Sequence, residues 1–230
     1  TFFKDLSSLS ENHMYFAKDL IDNILKVPGQ EIGSHTFSHM YFLDKGLTDQ
    51  DINNDFHLMN QLSKDYNLEL ESIVFPRNQY SKRIIDISKE FGLKNFRGNQ
   101  DHFIYKSSLN QNYLKRILRL LDSYINITGY NSFNLNREDR LLNIKASRFL
   151  RPFNRKLFFL EKIRLKRIKD EMTAAAVDNR NYHLWWHPHN FGNNIKENLN
   201  FLDAILSHYS FLNKKYGFLS KNMTNLTKIN

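Results

Sequence analysis

The chain of 230 residues contains no cysteine. That excludes disulfides, thiolate zinc sites and a cysteine nucleophile, so any metal must be held by histidine and carboxylate. It leaves the compartment open. Nowhere do roughly 20 apolar residues run without interruption, the length a membrane-spanning helix needs. The opening TFFKDLSSLS has no basic stretch followed by an apolar one, so no secretory leader is visible. A glycine-rich phosphate loop and a G-x-S-x-G elbow are also absent, which leaves nucleotide-binding and serine-hydrolase readings unsupported. Acidic residues are scarce in one place. Between Lys145 and Lys169, only Glu161 opposes Arg148, Arg151, Arg155, Lys156, Lys162, Arg164, Lys166 and Arg167.

What is present suits a globular domain: 41% hydrophobic residues, 14% aromatic residues and enough length to bury a substantial core. The net charge of +9 favours anionic partners. The basic run reads either as a solvated helix face or as a patch for a membrane surface or anionic polymer. Leu157, Leu160, Ile163, Ile168 and Met172 form an apolar stripe behind it, as an interfacial helix or any packing helix would show; packing is the preferred reading. No aromatic residues interleave at a nucleic-acid motif spacing, so no nucleic-acid partner is expected.

Helical and short extended segments alternate. Helices are expected over 16–25, behind Thr48 (Ile52, Phe56, Met59, Leu62 and Tyr66 on one side), from Ser81 to Phe91 with Gly92 closing it, over 114–125, 155–177 and 195–216. Strands are expected at 31–34, 72–75, 94–97, 183–186 and 218–219. This βα alternation, with no repeat and no linker, predicts an α/β fold with a parallel sheet or barrel, as a single domain over 1–230.

Three strands end in loops rich in catalytic residue types: EIGSHTFSH, IVFPRNQY and HLWWHPHNFG. His35 and His39 are four apart, a spacing that on a helical turn puts both imidazoles on one side. Thr36 stands where a zinc protease helix has glutamate, so that reading fails. Alone, the pair reads more readily as two polar loop residues than as a site. His187 and His189 follow the third strand as candidate ligands or proton donors. Trp185 and Trp186 face opposite sides of a strand, one of them the cleft, where it could stack on a sugar ring. Arg77 could pair with a carboxylate in bidentate fashion, or lie free on a turn.

In this order the three segments resemble the polysaccharide deacetylase family, carbohydrate esterase family 4, in a form associated with bacterial surface-polysaccharide gene clusters. GSHTFSH resembles the family's metal-binding motif, which maps its ligands onto His35 and His39. Leu184-x-x-His187 resembles the motif carrying the general acid, with His189 as rival. FPRNQ resembles its arginine-proline loop with the order reversed, which extends a catalytic role to Arg77. The resemblance implies a distorted (β/α) barrel, a divalent metal, most often zinc, and hydrolysis of an N-acetyl group on a saccharide. Trp186, Asn78, Tyr80 and Asn190 are the substrate-binding candidates of these loops. The family's Asp-Asp motif, which supplies a base and a third ligand, has no counterpart between Thr1 and Gln30. The expectation is therefore a domain incomplete at its N-terminus, lacking its first strand, with 100–180 family-specific or inserted. A non-catalytic glycan-binding descendant is the alternative. The expected location is the cytoplasm or the inner face of the cell envelope.

Overall fold

The computed structural model describes residues 18–107, 112–136 and 141–228. Local capping chemistry places most helices. After Lys18–Leu25 (α1), Thr48 caps Asp49–Asp65 (α2): its side chain accepts from Asp51 N–H, and the Asp51 carboxylate reaches back to the Thr48 backbone. A shorter acid thus fills the capping-box role usually taken by glutamate. The strand Ser72–Ile73 (β1) follows, then Lys82–Glu90 (α3), capped by Ser81 and followed by Gly92 at φ 86°. Asn95–Gly98 (β2) precedes Tyr113–Asp122 (α4), which leads through a loop to Leu142–Lys145 (β3) and Arg148–Phe149 (β4). Glu161–Val177 (α5), Leu184–Trp185 (β5), Ile195–Tyr216 (α6) and Met223–Thr227 (α7) complete the order. Gly217, at φ 67°, ends α6.

The strands pair in parallel. β2 lies between β1 and β3, with Ile73 beside Phe96 and Arg97 beside Ile144. Ser34 extends this sheet by one parallel bridge to Ile73. Past β3 the chain turns through Ala146 and Ser147 and leaves β2 for β5, where Arg148 pairs with Leu184 and Phe149 with Trp185. A helix separates the two members of each parallel pairing, α2 for Ser34 and β1, α3 for β1 and β2, α4 for β2 and β3, and α5 for β4 and β5, as parallel connection requires. The structure is α/β, with a small parallel sheet and a two-stranded one.

One core fills the space between α2, α3 and the sheet, centred on Phe56, Ile73 and Phe75, all at 0% exposure. Each contributes on the order of 2 kcal/mol by leaving water. A second core, with Leu150, Ile168, Met172, Phe191, Ile205 and Leu212, joins α5 and α6 to the strands β4 and β5.

Several expectations change. The strand over 31–34 contracts to the single bridge at Ser34, and 218–219 is irregular. The helix over 155–177 splits: Arg155–Leu160 is a 3-10 segment with a kink at Leu157, and the α-helix starts at Glu161. β3, β4 and α7 were not anticipated. The basic run is not a solvated face throughout, because Arg148, Arg164 and Arg167 are buried. Of the apolar stripe, Ile168 and Met172 join the second core and Ile163 stays exposed. Among the described residues no helix is long and apolar enough to cross a membrane. Most of the Thr1–Gln30 stretch searched for an Asp-Asp motif, residues 1–17, lies outside the described residues.

Candidate active site

The histidine loop is built from the end of the Ser34 bridge. Ser34 N–H donates to Ser72 O (2.7 Å) and its carbonyl accepts from Val74 N–H (2.9 Å). This fixes the loop's start against β1. His35 Nδ1 then meets Val74 O at 2.5 Å, which leaves the Nε2 side open. The residues that follow do not form the helical turn the spacing suggested. Thr36 (φ 64°) and His39 (φ 57°) are left-handed, a conformation costly for a β-branched residue. Asp55, buried on α2, holds the loop in this shape. Its carboxylate accepts from Phe37 N–H (2.9 Å), Ser38 N–H (2.8 Å) and the Ser38 hydroxyl (2.6 Å). The outcome matches what the spacing promised: the His35 and His39 rings are 4.9 Å apart, edge to face.

The FPRN loop turns through two more left-handed residues, Arg77 and Asn78, both at φ 53°. Arg77 is exposed, and its guanidinium lies 3.8 Å over the Tyr41 ring, not against a carboxylate. Tyr41 in turn packs on His39 at 5.5 Å. Asn78 faces inward and accepts from Arg97 Nη2 (2.8 Å). Tyr80 is a packing residue: its ring sits 5.0 Å from Phe96, and its hydroxyl accepts from Asn99 N–H (3.0 Å).

At the third strand end, His187 and His189 are exposed and stacked at 5.2 Å. Asn190 N–H donates to His187 O (3.0 Å), closing the turn between them. The tryptophans divide as alternation requires, with Trp186 at both the second core and the cavity wall. Trp186 stacks on Phe191 within the second core, while Trp185 stands 5.4 Å from His187 and carries Arg97 on its face at 3.9 Å.

Arg97 is the residue the motif reading missed. It lies on β2 and links all three loops, through Asn78, Trp185 and the histidines whose protonation it influences. Burial lowers its pKa to about 10. His35 is lowered by desolvation and by the charges of His39 and Arg97, against the opposing pull of the Val74 carbonyl. His187 is lowered by desolvation, then by His189, Arg97 and His35, so the two histidine pairs share one electrostatic environment. His183, on the lead-in to β5, is lowered to about 4 by burial and by Arg97. A signal for Arg97 existed: an arginine inside a strand buried on both faces needs a partner. Asp55 gave a similar one, as a charge on the apolar side of α2.

A cavity of about 1070 Å³ opens beside these loops, with Ser34, His35, Arg97, His183, Trp186 and His187 in its wall. Two imidazoles, one of them oriented by a backbone carbonyl, suit a borderline divalent ion such as zinc as two of its ligands. Among the described residues no group of three or more histidine, aspartate or glutamate side chains completes a metal site.

No curated protein and no solved structure matches the chain. Residues 1–96, which carry His35, His39, Arg77 and Asn78, match the model of the polysaccharide deacetylase family.

Proposed function

We propose that the protein is a hydrolase that removes N-acetyl groups from sugars of a bacterial surface polysaccharide or its precursor. The observation that carries this reading is that two histidine pairs, His35 with His39 and His187 with His189, each place one member, His35 and His187, in the wall of one cavity with Arg97. The family match over 1–96 supports the reaction class. In this reading His35, through its Nε2, and His39 would hold a divalent metal, most often zinc. The described residues offer no third ligand, so no step is assigned to the metal. His187, lowered by its surroundings, enters neutral, takes the proton that the water attacking the acetyl carbon gives up and hands it to the departing amine as the C–N bond breaks, with the stacked His189 as the rival donor. Asn78 and Asn190 fix the turns beside the cleft, Arg77 shields His39 through Tyr41, and Trp186 lines the cavity as a face for a sugar ring.

The parallel order from Ser34 to β5 fits an arc of a distorted (β/α) barrel, in one domain over 1–230. A site in the cytoplasm or at the inner face of the envelope suits a precursor substrate. Contact with a membrane surface or anionic polymer through 145–169 would rest on Lys156, Phe158, Phe159 and Lys162, which remain exposed. Liposome co-sedimentation with no salt-sensitive binding would remove that idea.

Acetate release from N-acetylated oligosaccharides tests the main reading. His35→Ala and His39→Ala should abolish release and bound metal together, whereas His187→Ala should lower turnover and keep the metal. Full activity in either ligand variant would sink the assignment. A second reading, a glycan-binding descendant without catalysis, is favoured by the two-histidine donor set. It predicts saccharide binding by the metal-supplemented wild type with no acetate released.

A further inference from the structure

We propose that Arg97 is an anion receptor in the cleft, so that the saccharide bound there carries a carboxylate or phosphate group. The substrate class rests on the deacetylase reading; the receptor itself rests on the geometry.

The arginines withdrawn from water, Arg148, Arg164 and Arg167 buried and Arg97 half-buried, are treated in two ways. Arg148 faces Glu171 and Asp122, Arg167 faces Asp122, and Arg164 pairs with Glu161. Among the described residues Arg97 has no such partner. Its Nη2 donates to the neutral amide oxygen of Asn78, while its Nε is buried with no acceptor at all. Trp185 covers one face of the guanidinium and keeps water from it. The titratable groups that feel its charge, His35, His183 and His187, are all imidazoles, and the one carboxylate that the described residues place in the cavity wall, Glu31, is engaged by Thr224 N–H. A guanidinium desolvated without an anion is costly, and a bound carboxylate or phosphate would relieve that cost with two parallel hydrogen bonds.

The neighbourhood adds to this. Arg97 lines the cavity of about 1070 Å³. Arg180 lines it too and also has a buried Nε without a partner. His183 is in the same wall, with Nδ1 buried and unbonded. A pKa of about 4 keeps that ring neutral at physiological pH, which suits a hydroxyl better than a second anion. Cations for an acid and a neutral imidazole for a hydroxyl together describe an acidic sugar better than a neutral one. Two sources share this chemistry: the carboxylate of a hexuronic acid and the phosphate ester of a sugar or its nucleotide.

The test is direct binding to the intact protein. Calorimetry and the fluorescence of its two tryptophans report on Trp185 beside Arg97. The probes are N-acetylglucosamine, N-acetylglucosamine 1-phosphate and an N-acetylated hexuronic acid. At least one acidic probe should bind roughly tenfold or more tighter than the neutral sugar, the scale of a hydrogen bond to a charged group. Whether the phosphate or the carboxylate does so identifies the source. Arg97→Gln should erase the preference, and Arg97→Lys should retain part of it. Circular dichroism of both variants separates loss of binding from loss of fold, and the lysine variant alone carries the test if the glutamine variant does not fold. Equal binding of all three probes, no binding of any, or a preference that survives Arg97→Gln overturns the receptor. Acetate release is read on the same samples. A preference without release counts against the deacetylase reading alone, and release without a preference counts against the receptor alone.

Discussion

At the scale of single residues, the candidate site depends on a carboxylate that touches no substrate. Thr36 and His39 occupy left-handed backbone, at about 1–2 kcal/mol each. Such strain persists only where surrounding contacts impose it, and here Asp55 does so with three hydrogen bonds. Asp55→Ala should therefore cost about 3 kcal/mol of stability, read as a lowered denaturant midpoint. It should also release the loop, seen as broadened or shifted His35 and His39 imidazole signals in NMR spectra. Asp55→Asn keeps one acceptor and should fall between. Unchanged imidazole signals in Asp55→Ala would remove its positioning role. The histidines were legible in sequence because four-residue spacing after a strand is a visible pattern. Asp55 and Arg97 were not, because a charge inside an apolar pattern reads as a break in the pattern until its partner is known. The spacing also suggested the wrong local structure. A helical turn and this strained loop both bring positions i and i+4 together, and only the hydrogen bonds to Asp55 distinguish them.

At the scale of elements, the basic segment shows how charge counting along a chain misleads. Of its buried arginines, Arg148 and Arg167 are answered from outside the segment, by Asp122 at the end of α4 and by Glu171 further along α5, while Arg164 pairs with Glu161 on its own helix. Arg148 Nε donates to Glu171 (2.7 Å), while Asp122 accepts from the Tyr105 hydroxyl (2.7 Å) and from Thr128 N–H (2.9 Å). Glu171 also accepts from Asn131 N–H (2.6 Å), so this cluster ties α4, β4, α5 and the loop before β3. Burial pushes Asp122 up, but Tyr105, Thr128 and the two guanidiniums outweigh it, and the carboxyl stays ionised below its ordinary range. Removing one partner strands the other's charge, so Glu171→Gln should cost about 3–5 kcal/mol in urea unfolding. On the outer side of the same helix, Lys166 and Asp170 pair in solvent, and Lys166→Ala should leave the urea midpoint almost unchanged. Equal effects would mean that burial does not set the difference. Helix ends were legible because caps are local: Thr48, Ser81 and Gly217 did as their residue types suggest. β3 and β4 were not, since strands of four and two residues carry too little alternation to register.

At the scale of the whole molecule, the histidines and the acid cluster predict how stability responds to pH. His183 titrates near 6.5 when unfolded and at about 4 when folded, because burial and Arg97 oppose its charged form. Below pH 6.5 the unfolded chain therefore binds a proton that the folded one refuses, and stability falls until pH reaches about 4. The loss over that window is on the order of 3 kcal/mol. His35 and His187 are displaced in the same direction and add to the slope. Asp122 acts later: its folded pKa lies below the ordinary 3.8, so its contribution disappears only in stronger acid. Urea unfolding across pH 3–8 should thus show two losses, a first between about 6.5 and 4 and a second below it. His183→Gln should flatten most of the first and leave the second, with little change at pH 7, where the native ring is already neutral. The converse pattern, an unchanged first loss in His183→Gln, would mean that this imidazole reaches solvent. Arg97 would then lose the dry surroundings on which its need for an anion depends.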